Sequence, residues 1–303
     1  MILSSIWYRT LRVLQVTTLA RHLRDAGVIL CYHNVVATSG GSDLGEPSLH
    51  IPLPTFERHM RWLAVHCDAV PLSEFVRRLR AGASLRHLAA VTFDDGYAGV
   101  LDHAWPVLQA FKIPATMFVV AHAPGRRTAF WWDDPSVCRA ATPRRREEWL
   151  TALRGDEDAI IRSLDGSPRP SVLPASHLAA DWTALRGAVA SGLSLGAHSA
   201  THRSLPTLDD SDLTAELVSS RTIIARETGV SPELFAYPYG LWDHRVQQAA
   251  RAAGYHGALT LEAGLNVCRT NPWSLRRVNV PAGIPDPAFE AWASGFAPRA
   301  LRS

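Results

Sequence analysis

The sequence predicts an α/β protein in which a parallel sheet is covered on its outside by helices. Three observations carry this. Short β-rich runs alternate with helical patterns along most of the chain. The strand runs are continuously apolar, as strands buried on both faces are, instead of alternating apolar with polar. Several helical patterns end on glycine, as in "ETG" and "AAG", which supplies the left-handed residue after a last turn. At 303 residues and 47% hydrophobic content, the chain can bury a large core and suits either two ordinary domains or one large α/β barrel.

In chain order the strand runs are "GVILCY" (27–32), "DAVPL" (68–72), "AAVTF" (89–93), "PATMFVV" (114–120), "LSLGA" (193–197), "ELFAY" (233–237), "HGALT" (256–260) and "RRVNV" (276–280). Between them lie the helical patterns "TFERHMRWLAVH", "LSEFVRRLRAG", "AWPVLQAFK", "LTAELVSSRTIIARETG" and "DHRVQQAARAAG". Residues 122–180 depart from this rhythm. They contain "RRTAFWWDDPSV", the charged helix "RRREEWLTALRGDEDAIIRSL" and the loop "DGSPRPSVLP", and read as a helical insertion between two strands. "RRREEW" reads as a solvated helix face, and Trp182 as a core residue of the helix entering the next strand. Residues 1–26 read as an amphipathic helical segment ahead of a single domain over 27–303.

Composition excludes several classes. A balance of 31 Lys and Arg against 28 Asp and Glu, with no basic block, argues against a nucleic-acid partner. Cys31, Cys67, Cys138 and Cys268 form no CxxC pair, so they read as free buried thiols, not a thiolate zinc site or a disulfide framework. Arg9, Arg12, Arg21 and Arg24 interrupt the apolar patches near the N-terminus, leaving neither a membrane span nor a signal-peptide core. The expectation is a soluble, cytoplasmic protein. Its first segment either docks on its own domain or makes peripheral contact with the inner membrane surface.

Functional groups of parallel α/β proteins collect just past the carboxyl ends of strands. Asp94 and Asp95 follow "AAVTF", His198 follows "LSLGA", and "YPYG" (237–240) follows another strand. His202 lies four residues after His198, so one helical turn would bring both imidazoles to one side. Two histidines and a carboxylate make a three-ligand metal site that leaves a position for water, as a hydrolytic centre needs. The plainer alternatives are an acidic turn at Asp94 and Asp95, and a histidine pair that caps a helix.

The ordered motifs "TFDDGY" (92–97), "HSATH" (198–202) and "AYPYG" (236–240) resemble those of the polysaccharide deacetylases, the NodB-homology group of carbohydrate esterase family 4. The likeness extends through "YHNVV", "FKIPATMFVV" and "AARAAGYHGALTLEAG", covering most of residues 28–283. It implies a distorted (β/α) barrel of about seven parallel strands. It also implies that Asp95, His198 and His202 hold a divalent metal, zinc first, with cobalt, manganese, iron or nickel as alternatives. Asp94 becomes the general base and the Tyr239 backbone N–H an oxyanion donor. Pro238, Tyr239, Trp131, Trp132 and His33 are the candidate substrate-binding residues, the last three from the sequence itself and not from the resemblance. The implied reaction releases acetate from N-acetylhexosamine units of a glycan or its precursor. A small cyclic or linear amide as substrate, or a silent glycan-binding module, are the competing readings.

Two positions depart from the family pattern. An arginine that helps orient the base is often found where this chain has Ala236. A late leucine-x-histidine motif supplies the general acid in many members, whereas this chain reads "RRVNVP", with Asn279 and no histidine. His33 is the spare proton donor, with a structural histidine as the other reading. Trp131 and Trp132 either stack on sugar rings or pin the insertion to the barrel.

Overall fold

The structure, a computed structural model, describes residues 7–8, 10–11, 16–37, 45–164 and 173–296. The predicted loop "DGSPRPSVLP" lies mostly outside them. Seven parallel strands curl into a distorted barrel with helices around it: β1 (Val28–Tyr32), β5 (Leu88–Phe93), β6 (Ala115–Val119), β7 (Ser194–Ala197), β8 (Leu234–Ala236), β9 (Gly257–Leu259) and β10 (Val278–Asn279). Their order is β10-β1-β5-β6-β7-β8-β9, and the short β4 (Asp68–Ala69) pairs with the start of β5. A single segment joins the two outer strands. Leu275 bridges to Leu259 of β9, and three residues later Val278 pairs with Leu30 of β1. A second, two-stranded sheet, β2 (Asn34–Val36) with β3 (His50–Pro52), has no counterpart among the predicted strands.

The period of two along each strand sorts residues between two cores. One set (Val28, Leu30, Ala89, Val91, Met117, Leu195) packs outward against the helical layer. The alternate set (Ile29, Ala90, Phe118, Leu234, Ala236, Leu259, Leu275) fills the barrel, closed at the strand starts by Leu72, Phe75, Val76 and Leu79 of α3 (Leu72–Arg80). Extending that inward series to the other end of the strands reaches Asp94, His198 and Arg277. The fold thereby delivers its polar groups to one rim.

The helical layer includes α1 (Val16–Leu23), α2 (Leu53–His66), α4 (Trp105–Phe111), α8 (Trp182–Ala190), α9 (Asp210–Thr228), α10 (His244–Ala252) and α11 (Asp286–Ala293). Helix α1 of the N-terminal segment docks on the barrel's own helices: Arg21 lies over the Trp62 ring and bonds Ser294 Oγ at 2.7 Å, while Leu19 and Leu23 face outward. No helix among the described residues is long and apolar enough to cross a membrane. Cys31 is buried, Cys67 and Cys138 are half-buried and Cys268 is exposed, so the expectation of buried thiols fails at the last.

Between β6 and β7 the insertion folds as α5 (Pro135–Ala140), α6 (Pro143–Thr151) and α7 (Glu157–Arg162). The predicted single charged helix is two. Arg154 and Gly155 take positive φ (56° and 68°), and Asp156 starts α7 by accepting the Ala159 N–H at 2.8 Å. Trp149 turns inward from the charged surface of α6 to join Trp131, Val137 and Ile160 in a small core of the insertion.

Candidate active site and metal centre

Three loops past strand ends converge on the rim. After β5, Asp94 N still bonds Tyr32 O of β1 at 2.9 Å, which extends the ladder by one residue and points the Asp94 side chain inward. The chain then turns sharply, with Asp95 at φ 70°. After β7, the loop 198–202 is not a helical turn. Ser199 (φ 62°) and His202 (φ 65°) are left-handed, and His202 N bonds Ser199 Oγ at 2.9 Å. After β8, Tyr239 is also left-handed (φ 58°) and its hydroxyl donates to His202 O at 3.0 Å. Of seven non-glycine residues with positive φ among those described, four lie in these three motifs, so the strain is concentrated at the site.

The loop holding both histidines is clamped from the helical layer. Glu216 of α9 accepts the N–H groups of Ala200 and Thr201, both at 2.9 Å, and the Thr201 hydroxyl. Nothing in the motif spacing announces this residue. Its signal is a glutamate on the buried face of α9, beside Leu213 and Leu217.

Asp95 Oδ1 lies 3.5 Å from His198 Nε2 and 3.4 Å from His202 Nε2, and the two nitrogens are 3.1 Å apart. His198 Nδ1 donates to Ala236 O at 2.8 Å, which leaves the Nε2 lone pair facing the cluster. Burial pushes Asp95 well above the ordinary carboxylate range, and the charges of Asp94 and Asp133 add to it. Burial also lowers both imidazoles, so they are neutral. Converging lone pairs on two nitrogens and one oxygen, with no Lys or Arg among the described residues paired to Asp95, fit a divalent metal of the zinc, iron, cobalt or nickel type.

Asp94 is treated in the opposite way. Arg277, fully buried, forks onto it with Nη1 to Oδ1 and Nη2 to Oδ2 both at 2.7 Å, and is itself anchored by Nε to Thr260 O at 2.8 Å. Burial raises the Asp94 carboxyl, but the Arg277 charge, His198 and the fork outweigh it and hold Asp94 well below the usual range. The arginine that seemed missing at Ala236 is thus supplied from the segment that joins β9 to β10. Its position in "LRRVNV" between outward-facing residues marks it as inward-facing, which was the available signal.

These groups floor a cavity of about 270 Å³. His33 lines it, as do Asn279, Trp131, Trp132 and Tyr239, so the structure brings together every predicted site residue except Pro238, which is buried behind the rim. Burial lowers His33 to about 4; Asp94 opposes the shift, and Arg277 and neighbouring histidines add to it. Trp131 belongs to the insertion's core, as in the pinning reading. Trp132 stacks on Phe130 (4.7 Å, 5°) and lies over His202 (4.5 Å).

A buried network holds Trp132 there. Its Nε1 donates to Tyr97 OH at 2.8 Å, and Tyr97 OH donates to Asp133 Oδ2 at 2.6 Å. Asp133 Oδ1 also accepts from His50 Nε2 at 3.0 Å and Glu46 N at 2.8 Å. Behind it, Asn34 Nδ2 reaches His50 Nδ1 and Ser176 O at 3.0 and 2.9 Å. Gly99 admits this packing, because a Cβ there would sit 2.4 Å from both Asn34 Oδ1 and Val35 O.

Residues 82–258 match the family model described as polysaccharide deacetylase. The Bacillus subtilis protein YxkH, named for the same family, is 23% identical over 266 residues, covering 87% of this chain and 75% of that protein. A Staphylococcus aureus poly-β-1,6-N-acetyl-D-glucosamine N-deacetylase is 34% identical over 67 residues, 22% of this chain and 23% of its own length. Among solved structures, IcaB from Ammonifex degensii superposes with TM-score 0.63 at 24% identity, covering 89% of this chain and 98% of that one. Streptococcus pyogenes deacetylase PplD gives 0.62 at 16% identity, covering 85% and 93%. Both share this fold. His33 and Arg277 fall outside the residues matched by the family model.

Proposed function

Because the chain belongs to the polysaccharide deacetylase family, we propose that it is a metal-dependent hydrolase that removes N-acetyl groups from N-acetylhexosamine units of a glycan. The observation that carries this reading is the pairing of two adjacent carboxylates with opposite surroundings. Asp95 faces two neutral imidazoles, and Asp94 is locked as an anion by Arg277.

Asp95, His198 and His202 would hold the metal, zinc first, which when bound would supply Lewis acidity toward water and the amide carbonyl. Asp94 takes a proton from the attacking water. Arg277 keeps it ionised and fixed in direction but also lowers its basicity, so the water must be acidified for transfer to proceed. The water oxygen joins the carbonyl carbon, and the Tyr239 N–H steadies the oxyanion. The C–N bond then breaks, acetate leaves, and His33 hands a proton to the departing nitrogen. His33 rests neutral at pH 7, with its pKa lowered to about 4, so the proton it hands on is the one Asp94 took from the water; a ring nitrogen of His33 and a carboxylate oxygen of Asp94 lie within 4.8 Å of each other.

The test is acetate release from N-acetylglucosamine oligomers by zinc-loaded protein, with Asp94→Asn beside it. The variant is expected to bind zinc as the parent does and to lose at least about 10³-fold in kcat. Glycan binding without acetate release in the parent, unchanged in the variant, would instead indicate a silent binding module.

A further inference from the structure

Past the metal cluster, the cavity runs on into the insertion, and there its character changes. Val137, Ala141 and Leu150 of the insertion, with Leu49 and Leu261 of the barrel, carry no polar side-chain atom. Most of the polar groups among them are engaged within the wall. Trp132 Nε1 is given to Tyr97, and Cys138 Sγ to Trp132 O at 3.2 Å. Glu46 is taken by Ser48 and Arg146. Trp131 Nε1 is buried without a partner.

A sugar hydroxyl seated against this wall would lose its water and find little to replace it, whereas a methylene gains from leaving water. A volume of about 270 Å³, below the usual 300–1,000 Å³ of small-molecule pockets, also suits one group of modest size better than a run of sugars.

We propose that this site takes an N-acylated amino sugar carrying an aliphatic chain of several carbons, seated between the metal cluster and the Val137, Ala141 and Leu150 wall of the insertion. The proposal rests on the amide-hydrolase reading above. The chain is either the N-acyl group itself or the sugar's aglycone, and both present the same hydrocarbon to the same wall.

Two substrate series separate these sources, using zinc-loaded full-length protein. One extends the acyl group of a methyl glucosaminide from acetyl through butyryl to hexanoyl. The other extends the aglycone of N-acetylglucosaminide from methyl through butyl to octyl. In one series kcat/KM is expected to rise by about threefold or more per methylene until the chamber is full, and that series names the source. Ala141→Phe, which fills the chamber from a half-buried position, is expected to lower the ratio of long-chain to short-chain kcat/KM at least tenfold. Without metal, octyl N-acetylglucosaminide is expected to shift the tryptophan emission where the methyl glycoside does not.

A flat or falling response in both series, with N-acetylated oligomers still hydrolysed, would overturn this proposal and leave the deacetylase reading standing. Silence on every substrate would overturn both.

Discussion

At the barrel rim, Asp94 and His198 sit one residue past the ends of hydrogen-bonded strands and Arg277 one residue before the start of another. Their positions follow from the same period of two that fills the barrel with Ile29, Ala90 and Phe118. Across the cavity, Trp131 and Trp132 ride on a single 3₁₀ turn, held by side-chain bonds that converge on Asp133. The rim is fixed by backbone ladders and buried charge, the insertion by a polar knot and a small aromatic core. On the proposed mechanism, one region sets where the proton goes, and the other sets what shape may approach.

If that division is right, the rim should fail by charge. Arg277→Met leaves Asp94 buried and unpaired, with an expected loss of about 3–5 kcal/mol in denaturant melts. A fall of at least about 10³-fold in kcat/KM should accompany it, since the base loses its orientation. Arg277→Lys should recover part of the stability but little of the rate, because an ammonium cannot fork onto both oxygens. Near-neutral behaviour of Arg277→Met would mean that the insertion, not the rim, fixes the base.

A smaller effect is expected one layer out. Glu216→Ala frees the loop between the two histidines, and zinc affinity should drop about 10–100-fold when titrated against a chelator. Melting of the metal-free protein should change much less. An equal loss in both measurements would make Glu216 a general support of the fold.

Acid gives the mildest separation. Burial lowers His59, in the helical layer, to about 4, with Asp286 opposing and Arg58 adding; burial lowers His177, beside the insertion, to about 4, with His50 adding and Asp133 opposing. Both folded pKa values lie below the unfolded ~6.5, so the unfolded chain binds more protons in between. The stability contributed by neutral burial is complete above about pH 6.5 and is lost as pH falls toward 4. For His59 the slope is at most about 1.4 kcal/mol per pH unit. His59→Phe, which keeps the stack on Phe289 (3.7 Å), should flatten that part of the profile in melts at stepped pH.

The same contrast explains what could be read from the sequence. The eight strands of the main sheet were legible, most of them because strands buried on both faces are uniformly apolar, and the three motifs because they sit at strand ends; β2 and β3, three residues each, were not. Arg277 was seen only as a strand residue. Its partner lies 183 residues away, and no local pattern reports a contact at that separation. His198 and His202 suggested a helical turn by spacing, but left-handed residues make the approach instead. In the insertion, the charges of α6 hid the inward turn of Trp149, and the break at Arg154 and Gly155 carried too weak a signal beside a continuous run of helix formers.

The segment that carries Arg277 is also the one that joins β9 to β1, and this gives the site a place in time. A growing chain that has emerged through residue 270 already contains Asp94, Asp95, His198, His202 and Glu216, yet the anion at 94 still has no counter-charge and the sheet has an open side. Only when residues 275–279 arrive and pair with strands at both edges does the carboxylate acquire its arginine. Competence is therefore gained late, after every motif residue has been made, so a copy that stops short of residue 277 carries the acidic pair without the arginine that sets one of its members apart.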